Sequence, residues 1–362
     1  MTSTRIADDW FRQRRRIFYP KTDLPVPDEL LRGLRARTFA DLGMTPDQVA
    51  RAAESVLGVA PTGVLALDHQ GTFHRVFRLS GVRGGGRWIL RANAASDFLH
   101  DLSLHLDAWA GAALEHAGLP AVRVPYVNLS RTVVPFDFQI GAESPGRPLA
   151  AFHDDEPRMH RRLRQLGRLV ARIHTLPLAG FGLLDARPLA AASGPPRGMW
   201  NTWSEYIRLN LAAHMDFCAR AGDLTTAGAD ALLAAFERHA GCLNVSGGVL
   251  LHGDLGSHNI LTDGDRLLGL IDWEDALSGD PVYDVAFWAS FQPPERHAPF
   301  LAGYRELRPL PDDFPVRFWL YLVRILLAKA VHRRRFAYPD RPDRPTAAQR
   351  IREALKNLAR AA

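Results

Sequence analysis

Asp254 and Asn259 stand five residues apart in LHGDLGSHNILTDGDRLLGLIDWEDALSGDPVYDVA, residues 251–286, and Asp272 follows thirteen residues after the asparagine. Two carboxylates and a carboxamide offer oxygen donors only. No Cys or His joins them at zinc-like spacing. Hard oxygen ligands suit magnesium, which takes one or two carboxylates and completes its shell with water and substrate phosphates. Phosphoryl transfer asks for little more: cations on the phosphates and a carboxylate to receive the proton of an attacking hydroxyl. Asp254 is the candidate base, and Asn259 and Asp272 are the candidate metal ligands. The competing reading is local, since Asp and Asn also favour turns for their own hydrogen bonds.

These residues work together only if the chain doubles back. Ile260–Thr262 reads as a strand, Asp263–Gly264–Asp265 as a turn and Arg266–Ile271 as the returning strand. A hairpin brings Asn259 and Asp272 side by side at its open end, with Asp254 on a Gly-flanked loop at the same end. Upstream, Thr45 caps a helix that Gly58 stops. Strand-like runs follow at Gly63–Leu67, Phe73–Leu79 and Arg87–Ala92, then a helix from Phe98 to Ala117 and short strands at Val122–Val127 and Val133–Ile140. Beyond Gly141 the periodicity is helical: Arg158–His174, Trp203–Phe217, Ala227–His239, Val316–His332 and Thr346–Ala361. The Gly- and Pro-rich stretch 178–200 reads as a loop. The expected organisation is an extension over 1–44, a β-rich lobe over 45–140 and a larger helical lobe over 141–362.

The segment resembles the aminoglycoside phosphotransferase and choline-kinase-like family, small-molecule kinases with a protein-kinase-like fold. His252, Gly253, Asp254 and Asn259 match its catalytic loop; Ile271, Asp272, Trp273 and Glu274 match its metal-binding segment. Gly279, Asp280, Pro281, Asp284 and Ala286 match the motif that follows, and LGRLVARIHTL (166–176), GLPAVRVP (118–125) and PGRPL (145–149) also fit. The Trp203–Ser204–Glu205–Tyr206 string and Leu255–Gly256–Ser257 look most like hygromycin-type enzymes. The resemblance implies an α+β bilobal fold, a small antiparallel sheet lobe with one helix above a helical lobe. It also implies ATP and Mg²⁺ as cofactors and a small-molecule hydroxyl acceptor. It places the phosphate-covering loop around Gly71 and the adenine against backbone from Gly141 to Glu143.

One departure from the family is sharp. Where relatives carry a strand lysine paired with a helix glutamate, this chain has Arg91 and Asp107. No lysine stands between 21 and 329. A guanidinium matches phosphate bidentately, so Arg91–Asp107 is expected to hold the nucleotide phosphates. A catalytically silent nucleotide-binding regulator is the rival this departure raises. His252, Asp280 and Asp284 are expected to brace loops and helix starts.

Of 362 residues, 47% are hydrophobic and 23% charged, a globular composition. No run approaches the roughly 20 uncharged apolar residues of a membrane span. Two cysteines build no disulfide framework and no signal peptide is visible, so a reducing, cytoplasmic setting is expected. Net charge is +6, unevenly spread. Residues 141–290 carry 13 basic and 18 acidic side chains, and residues 291–362 carry 15 and 7. The acidic middle favours a cationic acceptor such as an aminoglycoside. A metabolic kinase for a sugar, an amino alcohol or homoserine is the alternative. Nucleic-acid binding by the basic tail ranks last, because no aromatic platform is interleaved with it.

Overall fold

The computed structural model describes residues 3–36, 44–67, 73–82, 86–93, 101–152 and 156–361. Five strands form an antiparallel sheet: β1 (Gly63–Ala66), β2 (His74–Ser80), β3 (Trp88–Asn93), β4 (Tyr126–Asn128) and β5 (Phe138–Ala142), in the order β1-β2-β3-β5-β4. The helix Pro46–Leu57 packs beside it. Thr45 caps this helix and the left-handed Gly58 (φ 71°) stops it, as the sequence predicts, and Gln48 completes a capping box with Thr45. Inward residues of these elements, among them Val49, Phe77, Leu79, Leu90 and Ile140, make a small core of their own.

A second, larger core fills the helical lobe around the 22-residue helix Phe314–Arg335, which packs against Pro281–Phe291 and Ala347–Ala361. The N-terminal extension belongs to this core, not to the sheet that follows it in sequence. It folds as helices Ser3–Arg14, Pro20–Asp23 and Asp28–Ala36. Ile17, Phe18 and Tyr19 between the first two are buried. Phe18 lies under the Arg324 guanidinium at 3.4 Å and against Tyr206 at 5.2 Å, and its carbonyl accepts from Tyr206 Oη at 2.6 Å. Burying one such ring stabilises the fold by about 1.5–3 kcal/mol. The aromatic string IFYP is therefore an anchor, which is why a segment of mostly polar residues threads through the lobe.

Several elements differ from their sequence-based limits, each for a local reason. The stretch read as a loop contains strands Phe181–Asp185 and Arg197–Trp200. Its glycines mark close approach: a Cβ on Gly182 would meet the Trp200 ring at 2.5 Å, and one on Gly198 would meet Phe181 N at 2.2 Å. The helix expected over 203–217 breaks into Trp203–Arg208 and Leu211–Arg220, because Asn210 adopts φ 58°. Its amide donates to Arg16 O and to Asp23, so the extension fixes the break. Two N-lobe strands start late, at Tyr126 and Phe138; before β5, Asp137 is buried on the Arg131 guanidinium at 2.8 Å instead of extending the ladder. The described part of the helix predicted from Phe98 begins at Leu104. Among the described residues no helix is long and apolar enough to cross a membrane.

Candidate active site

The hairpin forms as its sequence requires. Ile260 pairs with Leu270, and Ile271 N donates to Asn259 O at 3.0 Å, which sets Asn259 and Asp272 at one end. Asp272 is left-handed (φ 69°), a conformation a non-glycine residue holds only when its surroundings impose it. Asp254 leaves the strand Gly248–Leu251 through Gly253, whose φ of 78° and approach to Asp275 O (2.0 Å from a built Cβ) exclude a side chain. Asn259 Nδ2 donates to Asp254 O at 3.0 Å, fixing the amide so that its oxygen is the atom left for a cation.

The loop is braced from below. Asp284 accepts from His252 N at 2.6 Å and Gly253 N at 3.0 Å. His252 Nδ1 accepts from Asp254 N at 3.3 Å, so Nε2 carries the proton and donates to Ile271 O at 3.0 Å. The imidazole ties the Asp254 loop to the Asp272 strand and stacks 4.6 Å from Trp273. Asp280 caps its helix through Val282 N at 2.9 Å. These are the bracing roles the sequence suggests.

Arg91 and Asp107 meet at 2.5 Å. Asp107 also accepts from Gln139 Nε2 at 2.8 Å and from Trp273 N at 2.5 Å, which joins the helix Leu104–His116 to the Asp272 turn. Arg91 does more than the predicted pair: its Nη2 reaches Asp272 at 2.5 Å, Glu274 at 2.7 Å and His74 at 3.0 Å. Three carboxylates converge on one guanidinium. Burial opposes the charge on Arg91, but these acids overrule it and raise its pKa well above the ordinary value. Burial and the neighbouring Asp272 push Glu274 up. Further along the same strands, Gly141 faces Ile89 in β5, where a Cβ would meet Arg123 O at 2.7 Å. The Glu143 peptide N–H is taken by Arg87 O at 2.9 Å and its carboxylate by Arg78 at 2.7 Å. Gly71 lies outside the described residues.

Asp254 is buried, and Lys21 Nζ of the extension sits 2.5 Å from its Oδ2. Tyr19 Oη is 3.4 Å from the other oxygen and His258 is 3.8 Å away. Burial alone would raise the Asp254 carboxyl; the Lys21 ammonium, with His258, holds it well below the usual range. The carboxylate opens onto a cavity of about 1290 Å³ between the helices Pro281–Phe291, Phe314–Arg335 and Ala347–Ala361.

The sequence profile of the phosphotransferase enzyme family matches residues 65–319, well over half of the chain. The chain belongs to that family. The hygromycin-B 4-O-kinase of Escherichia coli is 26% identical over 239 residues, covering 62% of this chain and 65% of that protein, so the match spans just under two thirds of the relative's length. A homoserine kinase of Pseudomonas aeruginosa (strain LESB58) is 31% identical over 242 residues, 60% of this chain and 68% of that protein. Among solved structures, a thermostable aminoglycoside phosphotransferase APH(4)-Ia in ternary complex with AMP-PNP and hygromycin B has a TM-score of 0.64 at 20% identity, over 86% of this chain and 99% of that one. The fold of this phosphotransferase family member is thus the expected α+β, protein-kinase-like one.

Sequence reasoning brought together Asp254, Asn259, Asp272, Arg91 and Asp107. It missed Lys21, Tyr19, Gln139 and His74, and it named Glu274 in the metal-binding segment without its contact to Arg91. One signal could have found Lys21. The chain holds three lysines among 45 basic residues, and Lys21, Lys329 and Lys356 all line the Asp254 cavity.

Proposed function

We propose that this protein transfers the γ-phosphate of ATP to a hydroxyl of a small polar molecule. The observation that carries the reading is an anionic, buried Asp254 lining a cavity of about 1290 Å³, beside Asn259 and Asp272. The acceptor oxygen attacks the γ-phosphorus, its proton passes to Asp254, and the bond to the β-phosphate oxygen breaks to release ADP. Asn259 and Asp272 would hold Mg²⁺. The donor set is all oxygen, and the acids around Arg91 outnumber it, so a further cation fits. When bound, the ion would neutralise charge on the phosphates. Arg91, oriented by Asp107, is placed to clamp those phosphates, and backbone from Gly141 to Glu143 to receive the adenine. Lys21 exchanges Asp254 for the transferred phosphoryl group, which stabilises the charge there and frees the carboxylate to take a proton.

Two acceptor classes compete. The relatives include a protein named for hygromycin B and one named for homoserine. The acidic middle of the chain favours a cationic aminoglycoside. The cavity, however, is walled mainly by the basic C-terminal end, where lysines and arginines outnumber carboxylates. That favours the metabolic-kinase alternative. An ADP-release screen across aminoglycosides, sugars, amino alcohols and hydroxy acids tests the reading. Acceptor-dependent release that Asp254→Asn removes is expected; nucleotide binding without release for every class would instead favour a silent nucleotide-binding protein.

A further inference from the structure

Two cations meet at Ser290, the penultimate residue of the helix Pro281–Phe291. Lys329 Nζ donates to Ser290 Oγ at 2.6 Å, and Arg350 Nη2 donates to Ser290 O at 2.5 Å. They come from different helices, Phe314–Arg335 and Ala347–Ala361, and both line the cavity that contains Asp254. No carboxylate pairs with either among the described residues. Arg91, Arg131 and Arg317 each rest on at least one carboxylate, and buried Arg324 is held by the Ile207 and Leu209 carbonyls and by His214. What sets Lys329 and Arg350 apart is that two cations converge on one residue at a cavity wall.

An unpaired cation held inside a protein is costly, and two held together cost more. Burial pushes the Lys329 ammonium well below its ordinary pKa and Arg350 adds to the effect; Asp254 is the main charge that opposes it. The compensation in place is weak. Lys329 lies over the Phe291 ring at 2.9 Å and the Phe287 ring at 4.4 Å, and the Ser290 oxygens are neutral acceptors. A methionine would fill such an apolar wall without penalty. A lysine beside an arginine, neither in a direct ion pair among the described residues and both facing a cavity, is the arrangement an anion completes.

We propose that the phosphate acceptor is itself an anion, a hydroxyl compound carrying a carboxylate or a phosphate, whose charged group docks on Lys329 and Arg350 while its hydroxyl reaches Asp254. This rests on the kinase reading and narrows it. It assigns Lys329 and Arg350 as specificity-determining residues and Lys21 to the transfer itself. The two ends of the acceptor are then held by different cations.

The test pairs turnover with binding. ADP release is measured with MgATP and matched hydroxyl compounds: gluconate for carboxylates, glucose 6-phosphate for phosphates, and glucose, glucosamine and hygromycin B as neutral and cationic counterparts. The expected result is a preference of about tenfold or more in kcat/KM for gluconate or glucose 6-phosphate over glucose, and a rise of similar size in acceptor KM in Lys329→Met and in Arg350→Gln, with the KM for ATP unchanged. Whichever of gluconate and glucose 6-phosphate is preferred tells carboxylate from phosphate. Preference for glucosamine or hygromycin B, or an acceptor KM unmoved in both variants, overturns the proposal. If no compound elicits ADP release, the kinase reading fails separately. Calorimetric titration of inorganic phosphate and gluconate into the protein saturated with ADP and magnesium then decides the anion site. Binding lost in Lys329→Met sustains it, and no binding to the unaltered protein overturns it.

Discussion

Two clusters, one around Arg91 and one around Ser290, carry opposite imbalances of charge. Around Arg91, three carboxylates share one guanidinium. Around Ser290, two cations pair with no carboxylate among the described residues. Both clusters are built on stable elements, so neither imbalance is a by-product of loose structure. On the proposed reading each is the complement of a ligand: a divalent cation with a polyphosphate on one side, an anionic acceptor on the other. Asp254 and Lys21 lie between them as a balanced pair. An imbalance inside a protein is stable only if the fold compensates for it elsewhere.

The comparison can be broken most decisively at its centre. Asp254→Asn is expected to lower kcat by about 10²–10⁴-fold while ATP still binds, because an amide cannot take the acceptor proton. Steady-state kinetics and nucleotide binding check this, and a variant keeping half the parent kcat would remove Asp254 as the base. Next in size is Lys21→Met. If Lys21 meets the transferred phosphoryl group, kcat drops by about 10²-fold with a smaller change in the KM for ATP, and Lys21→Arg recovers part of it. Equal kcat in Lys21→Met would make the extension an anchor alone.

The Arg91 cluster is sharpened by removing its guanidinium. Arg91→Ala leaves Asp107, Asp272 and Glu274 facing one another, and is expected to destabilise the protein by about 3 kcal/mol as well as raise the KM for ATP. Thermal unfolding with and without magnesium reads the effect, and added Mg²⁺ should restore part of the loss. Asp107→Ala costs less, and the double variant costs less than the two single changes together, as partners in one network require. Independent, additive effects would deny the pairing a role. The smallest effect belongs to the cavity rim. Lys356 is solvent-exposed and 3.9 Å from Glu353, so Lys356→Met should move the acceptor KM by about twofold or less. A change as large as that of Lys329→Met would show that overall field, not the Ser290 pair, selects the acceptor.

Much of this site was legible before any coordinates. Asn259 and Asp272 could be paired because a hairpin's geometry is local: a two-residue period and a short turn fix which ends meet. Arg91–Asp107 was legible by position within a resemblance, but its contacts with Asp272 and Glu274 were not, since they join β3 to a turn some 180 residues away. The strands in 178–200 were hidden by glycines that read as turn formers, although they serve close packing against Trp200 and Phe181. The break at Asn210 was hidden because its cause lies in Arg16 and Asp23.

The charge reading shows the limit most clearly. Regional counts placed acid in the middle of the chain and base at its end, and both counts stand. Which region walls the acceptor cavity depends on how Phe314–Arg335 and Ala347–Ala361 fold back over Pro281–Phe291, and there the basic end prevails. By itself the sequence determined the chemistry of the donors, the hairpin that assembles them, the two-lobe division and the family. Helix caps, turns and alternating strands are set by neighbours a few residues apart, so local propensity suffices for them. The tertiary structure alone decided that Lys21 reaches Asp254 and that Lys329 and Arg350 meet at Ser290. Those contacts span 233 and more residues for the first, and depend for the second on the packing of three helices, which burial of apolar surface drives without regard to sequence distance.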